Sequence, residues 1–286
     1  MISICIVNWN TRDLLRNCLK AIDSHPPVGE YEIIVVDNAS PDASAQMVKE
    51  EFPRFRLLAN SENLLYAKAS NQALAMARGE LVMLLNPDTE VKEGCLARLS
   101  EFLQNNPQAA AAAPRLRWPD GSIQPSCRSF PKPRAILMDI LRLSRVFPGC
   151  EICGEYRMTF FPHDSLREVD QPMASALMLK REALEEIGGF DEGFPMFFND
   201  VDLCFRLRQA GWKIFFLPEA EALHHYGSST AQRKREMIAQ SHESLLRFYR
   251  KHYRRRVGGL GYWTVILLSR AGRCLRLFAA PKRNQQ

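Results

Sequence analysis

Leu81-Val82-Met83-Leu84-Leu85-Asn86-Pro87-Asp88-Thr89-Glu90 decides the fold. Five apolar residues in a row read as a strand buried on both faces, as in a sheet covered by helices. Pro87 ends the run, so Asp88 stands just past the carboxyl end of that strand. Ligands of open α/β sheets bind at that edge. A second acidic cluster, Asp200-Val201-Asp202, comes 112 positions later, behind Met196-Phe197-Phe198. A histidine pair, His224-His225, follows. Two separated carboxylate sites and a late histidine pair predict a metal–diphosphate site facing a general base.

Working outward, the same alternation of buried strand and helix recurs. Ile2–Asn8 is a continuous apolar strand, and Thr11 is expected to cap a helix whose Leu14, Leu15, Cys18, Leu19 and Ile22 share one face. Glu32–Val36 is a second buried strand, ending on Asp37. A helix is predicted from Ser40-Pro41-Asp42 to about Glu51, a short strand over Phe55–Leu58, and a helix over 66–78 closed by Gly79. Crossovers of this length suit parallel strands, so the first 115 residues read as a doubly wound, mostly parallel sheet. Further on, Asp120-Gly121 marks a hairpin and 135–146 an amphipathic helix. Strands are predicted over 173–180 and 213–217, helices over 181–187 and 200–210, and a long polar helix over 230–253.

At 286 residues and 46% hydrophobic, the chain is large enough for a full core. Its net charge of +6 is unevenly spread: residues 230–286 hold 14 Lys or Arg against Glu236 and Glu243, which leaves the first 229 net acidic. A basic tail on an acidic body predicts an anionic partner for the tail. The eight cysteines are scattered; Cys5 and Cys204 read as small core residues, and Cys150-x-x-Cys153 is a lone pair without a second one. The amino terminus reads as a strand and not as a signal peptide, which predicts a cytoplasmic, thiol-reducing setting.

Six segments in order carry a resemblance: Ile6-Val7-Asn8-Trp9-Asn10, Val35-Val36-Asp37-Asn38-Ala39-Ser40, Asn63-Leu64-Leu65-Tyr66-Ala67-Lys68-Ala69-Ser70-Asn71-Gln72, Leu85-Asn86-Pro87-Asp88-Thr89, Gly188-Gly189-Phe190-Asp191-Glu192, and Phe198-Asn199-Asp200-Val201-Asp202-Leu203-Cys204-Phe205-Arg206. Together they resemble glycosyltransferase family 2, in its bacterial rhamnosyltransferase-like branch, over about residues 1–230. The resemblance implies a GT-A fold, a nucleotide-diphosphate sugar donor and inversion at the anomeric carbon. It suggests a nucleotide-binding half over 1–115, an acceptor-side half over 116–230, and a basic helical tail over 231–286.

The residues support that chemistry in their own right. A departing diphosphate needs its charge neutralised, and Mg²⁺ or Mn²⁺ does this with one or two protein carboxylates while phosphate oxygens fill other positions. Asp88 is the expected ligand; a plain turn after a strand is the alternative reading. Asn86 stands where many relatives carry Asp, which bears on metal dependence. The resemblance implies that Asp37 accepts a hydrogen bond from the base or ribose, and that Asn63, Lys68 and Asn71 lie near the nucleotide. Trp9 offers an aromatic face for the base, or core packing. Asp200 is the expected general base: the apolar residues before it raise its basicity, and a helix amino terminus opposes that. Asp202 is expected to bind and orient acceptor hydroxyls; helix capping is the alternative for Asp200 and Asp202 alike. Asn199, also expected on the acceptor side, stands where the family commonly carries Glu, keeping hydrogen bonding but losing a charge. The late segment His224-His225-Tyr226-Gly227-Ser228-Ser229 resembles the family's His-x-x-Gly, with His224 the better fit to metal or diphosphate and His225 the alternative.

In the tail, Arg254-Arg255-Arg256 precedes 13 uncharged residues, Val257 to Ser269, and Arg270, Arg273 and Arg276 follow at helical spacing. That stretch is too short to span a bilayer and suggests a helix lying in an anionic membrane surface. A helix packed on the domain is the alternative. Nucleic acid is not expected as a partner, since no groove-reading motif accompanies the charge. The expectation is therefore an inverting transferase using dTDP-rhamnose or a UDP-sugar and a glycan or polyprenyl-linked acceptor, peripheral on the inner face of the cell membrane. A catalytically silent nucleotide-sugar-binding or scaffold protein is the alternative, hinted at by Asn86 and Asn199.

Overall fold

The computed structural model describes residues 1–147, 149–225 and 234–279, the side chains of 234–237 and 274–279 excepted. The strands of the first half are β1 (Ile2–Asn8), β2 (Tyr31–Asp37), β3 (Arg56–Ala59), β4 (Leu81–Leu85), β5 (Thr89–Val91) and β6 (Ala109–Arg117). Those of the second are β7 (Ile123–Gln124), β8 (Cys127–Arg128), β9 (Arg167–Glu168), β10 (Gln171–Pro172), β11 (Ala176–Lys180) and β12 (Lys213–His224). The helices are α1 (Arg12–Ser24), α2 (Ser44–Glu51), α3 (Leu65–Met76), α4 (Cys95–Asn105), α5 (Pro133–Ile140) and α6 (Leu143–Val146). They continue as α7 (Glu151–Gly154), α8 (Arg181–Ile187), α9 (Asn199–Gln209), α10 (Lys234–Phe248) and α11 (Gly259–Ala279), with a π turn over Tyr249–Tyr253.

The chain packs as two units: the first holds 1–128, 162–195 and 199–229, the second 129–161, 196–198 and 230–286. The half expected over 116–230 is thus divided between them, because 129–161 packs with the tail segment.

In the first unit one sheet runs in the order β3-β2-β1-β4-β11-β6-β12-β5. β3, β2, β1 and β4 are mutually parallel, as the sequence predicts. β11 then enters antiparallel between β4 and β6, and β12 pairs parallel with β6 and antiparallel with β5. One layer of the core joins Ile2, Ile4 and Ile6 of β1 to Leu15, Leu19 and Ile22 of α1. In β6 five successive alanines, Ala109 to Ala113, are buried. They carry little strand preference of their own, but their small side chains let α4 lie close over the sheet.

Several local expectations are corrected. Thr11 does not cap α1 with its side chain; its hydroxyl donates to Asn8 Oδ1 at 2.7 Å, and Asp42 Oδ2 accepts the Arg12 amide at 2.8 Å instead. Asp42 also accepts the Ser44 amide, so α2 starts at Ser44 and not at Ser40. Gly79 lies beyond the end of α3 and is required by close approach: a Cβ there would sit 2.7 Å from the Met1 carbonyl oxygen and the Ser3 nitrogen. The helix expected over 135–146 is two, broken at Arg142, whose φ is +55°. The helix expected from Thr230 is described only from Lys234.

In the second unit, Phe248 and Tyr249 form a buried aromatic centre with Tyr253, and the Tyr249 hydroxyl donates to the Pro131 carbonyl. Phe198 packs on Phe248 at 5.7 Å, which holds 196–198 in this unit. α11 lies against α10 and α5. Cys150 and Cys153 stand close, Sγ to Sγ 2.9 Å, with the Cys150 thiol held below its usual range by its hydrogen bond to Cys153.

Candidate active site

The carboxyl edge of the parallel strands gathers most of the expected residues. Asp37, at the end of β2, is buried, and Asn8 of β1 donates to its Oδ1 at 2.8 Å while the Ser40 amide donates to its Oδ2 at 3.0 Å. Each oxygen retains a further acceptor position. Trp9 follows β1 at the same edge and is half-buried. On α3, Lys68 is exposed and makes no hydrogen bond or ion pair among the described residues. Asn63 accepts the Leu65 amide at 2.9 Å in a local turn just ahead of α3. Asn71 has its side-chain amide committed elsewhere: it exchanges hydrogen bonds with the backbone of Phe190 at 3.0 Å and donates to Glu192. It braces the Gly188-Gly189 turn instead of standing open to a nucleotide.

Asp88 is brought to a histidine by strand pairing. β5 pairs with β12 so that Thr89 lies opposite His224. This sets His224 Nε2 3.4 Å from Asp88 Oδ1, an oxygen that is buried with no hydrogen-bond partner. The other ring nitrogen, Nδ1, lies 2.9 Å from Gln124 Oε1, a contact that orients the imidazole with Nε2 toward Asp88. An unsatisfied carboxylate oxygen beside an imidazole nitrogen suits a cation, so Asp88 and His224 fit a metal bound mainly by substrate oxygens. Among the described residues no group of three or more His, Cys, Asp or Glu is placed to hold an ion alone. His225 points to other work: its Nε2 pairs with Glu90 at 2.9 Å. Gln124 carried no sequence signal; it arrives on the two-residue strand β7.

Asp200 opens α9. Gln171 Nε2 donates to its Oδ2 at 3.0 Å, and the Val201 amide donates to its Oδ1 at 2.8 Å. Burial pushes its carboxyl above the usual aspartate range, against the backbone amides of Val201, Asp200 and Ala174 and the Arg128 guanidinium, which pull it down. Desolvation therefore prevails over the helix terminus. Gln171 and Arg128 come from β10 and β8, directly opposite one another in a two-stranded ribbon.

Two of the expected acceptor residues make contacts within the protein. Asp202 is fully buried and ion-paired to Arg206 at 2.7 Å, while that guanidinium also donates to the carbonyls of Ile187 and Gly189. It holds α9 to the preceding turn. Asn199 is buried too, and its Oδ1 accepts the Asp200 amide at 2.7 Å.

The segment after β10 links the neighbourhoods of the two carboxylates: the Ala174 amide donates to Asp200, and the Ser175 carbonyl accepts the amide of Asn86, two residues before Asp88, at 2.8 Å. The Tyr66 phenol, which burial pushes up, also feels the negative charges of Asp200 and Asp88.

The chain is similar to known glycosyltransferases in sequence and in fold. The sequence profile "Glycosyl transferase family 2" matches residues 3–160. An N-acetylglucosaminyl-diphospho-decaprenol L-rhamnosyltransferase of Mycobacterium tuberculosis is 33% identical over 224 residues, 74% of this chain and 72% of the relative. The rhamnosyltransferase WbbL of Escherichia coli is 23% identical over 238 residues, 79% of this chain and 83% of the relative. Among solved structures, the mannosyltransferase PcManGT of Pyrobaculum calidifontis, in complex with GDP-Man and Mn²⁺, superposes with a TM-score of 0.61 at 18% identity, covering 99% of this chain and 76% of that one. Staphylococcus aureus TarS with UDP-GlcNAc gives 0.59 at 15% identity, covering 97% and 72%.

Proposed function

The chain belongs to glycosyltransferase family 2, and on that premise we propose that it moves a sugar, with inversion, from a nucleotide-diphosphate donor such as dTDP-rhamnose or a UDP-sugar to a polyprenyl-linked glycan acceptor. The observation that carries this is the pairing of a desolvated base at Asp200 with the unsatisfied oxygen of Asp88 beside His224. Asp200 takes the proton of the acceptor hydroxyl as that oxygen attacks the anomeric carbon, and the diphosphate leaves from the opposite face. Gln171 orients the carboxylate for that transfer. Asp88 and His224 would hold a divalent cation, which neutralises charge developing on the departing diphosphate. Asp37 accepts from the nucleoside, and Lys68 is available to a phosphate.

The choice of a lipid-linked acceptor follows the name of the mycobacterial relative and the basic composition of 231–286, which suits the anionic inner face of a membrane. No described helix is long and apolar enough to cross a membrane.

The test is transfer measured with a panel of nucleotide sugars and a polyprenyl diphosphate-linked N-acetylglucosamine, with Mg²⁺, Mn²⁺ or EDTA. Asp200→Asn is expected to lower kcat about 100- to 10,000-fold while donor binding is retained. Turnover at the normal rate in that variant would remove Asp200 from its role, and turnover unaffected by EDTA would remove the cation.

A further inference from the structure

Among the described residues, every exposed large apolar side chain except Met1, Val28 and Leu166 belongs to the second unit. They fall in two places. Leu260, Trp263 and Leu267, 86%, 59% and 63% exposed, line one face of α11 at i, i+3 and i+7, and the exposed Arg270 continues the stripe. The opposite face, with Val265, Ile266 and Ser269, is buried, so the stripe is not core that has slipped outward. The second place lies outside the tail. Ile140, Leu141, Val146, Phe147 and Ile152 are exposed around the break between α5 and α6 and at the start of α7. Arg142 and Arg145 stand exposed among them, and the one acid in residues 140–152 is the exposed Glu151.

Apolar side chains interleaved with arginines, with Glu151 the one acid among residues 140–152, match one environment, the boundary between anionic headgroups and acyl chains. A second copy of this chain is a poor occupant: an isologous contact would set the same arginines against each other. We propose that residues 140–152 form a second lipid-contacting element, which works with the α11 stripe so that the second unit holds an anionic bilayer at two points. The proposal rests on the membrane placement given above and extends it to a segment outside the basic tail. Two weak anchors on one body act cooperatively through effective concentration, so removing either costs much of the binding.

Co-sedimentation of the full chain with phosphatidylglycerol/phosphatidylcholine vesicles, and with phosphatidylcholine vesicles alone, tests this. The unaltered protein is expected to sediment with the anionic vesicles and to dissociate as salt rises. Leu141→Glu with Phe147→Glu is expected to lower the partition coefficient at least tenfold, and so is Leu260→Glu with Trp263→Glu. Arg142→Gln with Arg145→Gln serves as a milder pair that keeps the apolar residues and is expected to weaken the preference for anionic lipid. Unchanged melting and unchanged nucleoside diphosphate release from soluble donor show that the variants fold. Full vesicle binding by the Leu141/Phe147 variant would overturn the second element while leaving the tail reading intact. Failure of the unaltered protein to bind either vesicle would overturn both, and so would self-association abolished by the same substitutions. Transfer activity is read separately, so neither result decides the proposed reaction.

Discussion

At Asp200 two influences on one carboxylate compete, and burial prevails over the hydrogen bonds and the Arg128 charge. A base of raised affinity for the proton is a better acceptor at neutral pH, so the acid limb of kcat/KM is expected above the ordinary aspartate range of about 3.9. The same shift bears on stability. The native state holds this proton more tightly than the unfolded chain, so the group favours folding at low pH, and the contribution is lost as pH rises through its native value. Gln171 stabilises the ionised form by donating to it. Gln171→Leu is expected to move the acid limb to higher pH and to lower kcat, with little change in donor KM; a limb that stays in place would show that Gln171 only fills space.

At the scale of elements, β12 carries more than its length suggests. It is bulged between Leu217 and Glu221, and past the bulge Glu221 meets Arg115 and Arg117 of β6. The hydrogen bonds from Arg117, then those from Arg115, hold its carboxyl down to about 2. A depressed native value contributes stability above the ordinary glutamate range that is lost as pH falls toward 2. Glu221→Gln is therefore expected to cost about 2 kcal/mol at neutral pH, with the two proteins' denaturation midpoints converging as the solution is acidified. Strands β1, β2 and β4 and the carboxylates at their ends were legible in the sequence because unbroken apolar runs mark them. Gln124 and Gln171 were not, since each rides on a strand of two residues, too short for any period. His224 could be separated from His225 only by register with β5, a pairing between distant segments. The ion pair of Asp202 with Arg206 was legible, since i and i+4 is a spacing that signals a helical pair. The break at Arg142 has no glycine or proline to announce it.

For the molecule as a whole, the residues proposed for donor recognition are spread over β1, β2, α3, β4 and the end of β12, so on that proposal a bound donor draws on the folded sheet and not on one loop. A matching nucleotide sugar at 100 times its Kd adds about 2.7 kcal/mol to stability, and a thermal-shift screen is expected to show a rise of several degrees that grows with Mg²⁺ or Mn²⁺ and shrinks in Asp88→Asn. A metal-independent shift of the same size would detach the cation from donor binding. The strand order has one more outcome, for synthesis. A ribosome that has released the chain only as far as Arg117 has made β6 but neither β11 nor β12, and β4 stands at an open edge until β11 emerges. The nascent chain must wait about 60 residues with an unpaired alanine ribbon and a sticky margin. His224 joins Asp88 only when that last long strand docks, so on the proposed reading a half-made polypeptide lacks the pair that would grip an activated sugar.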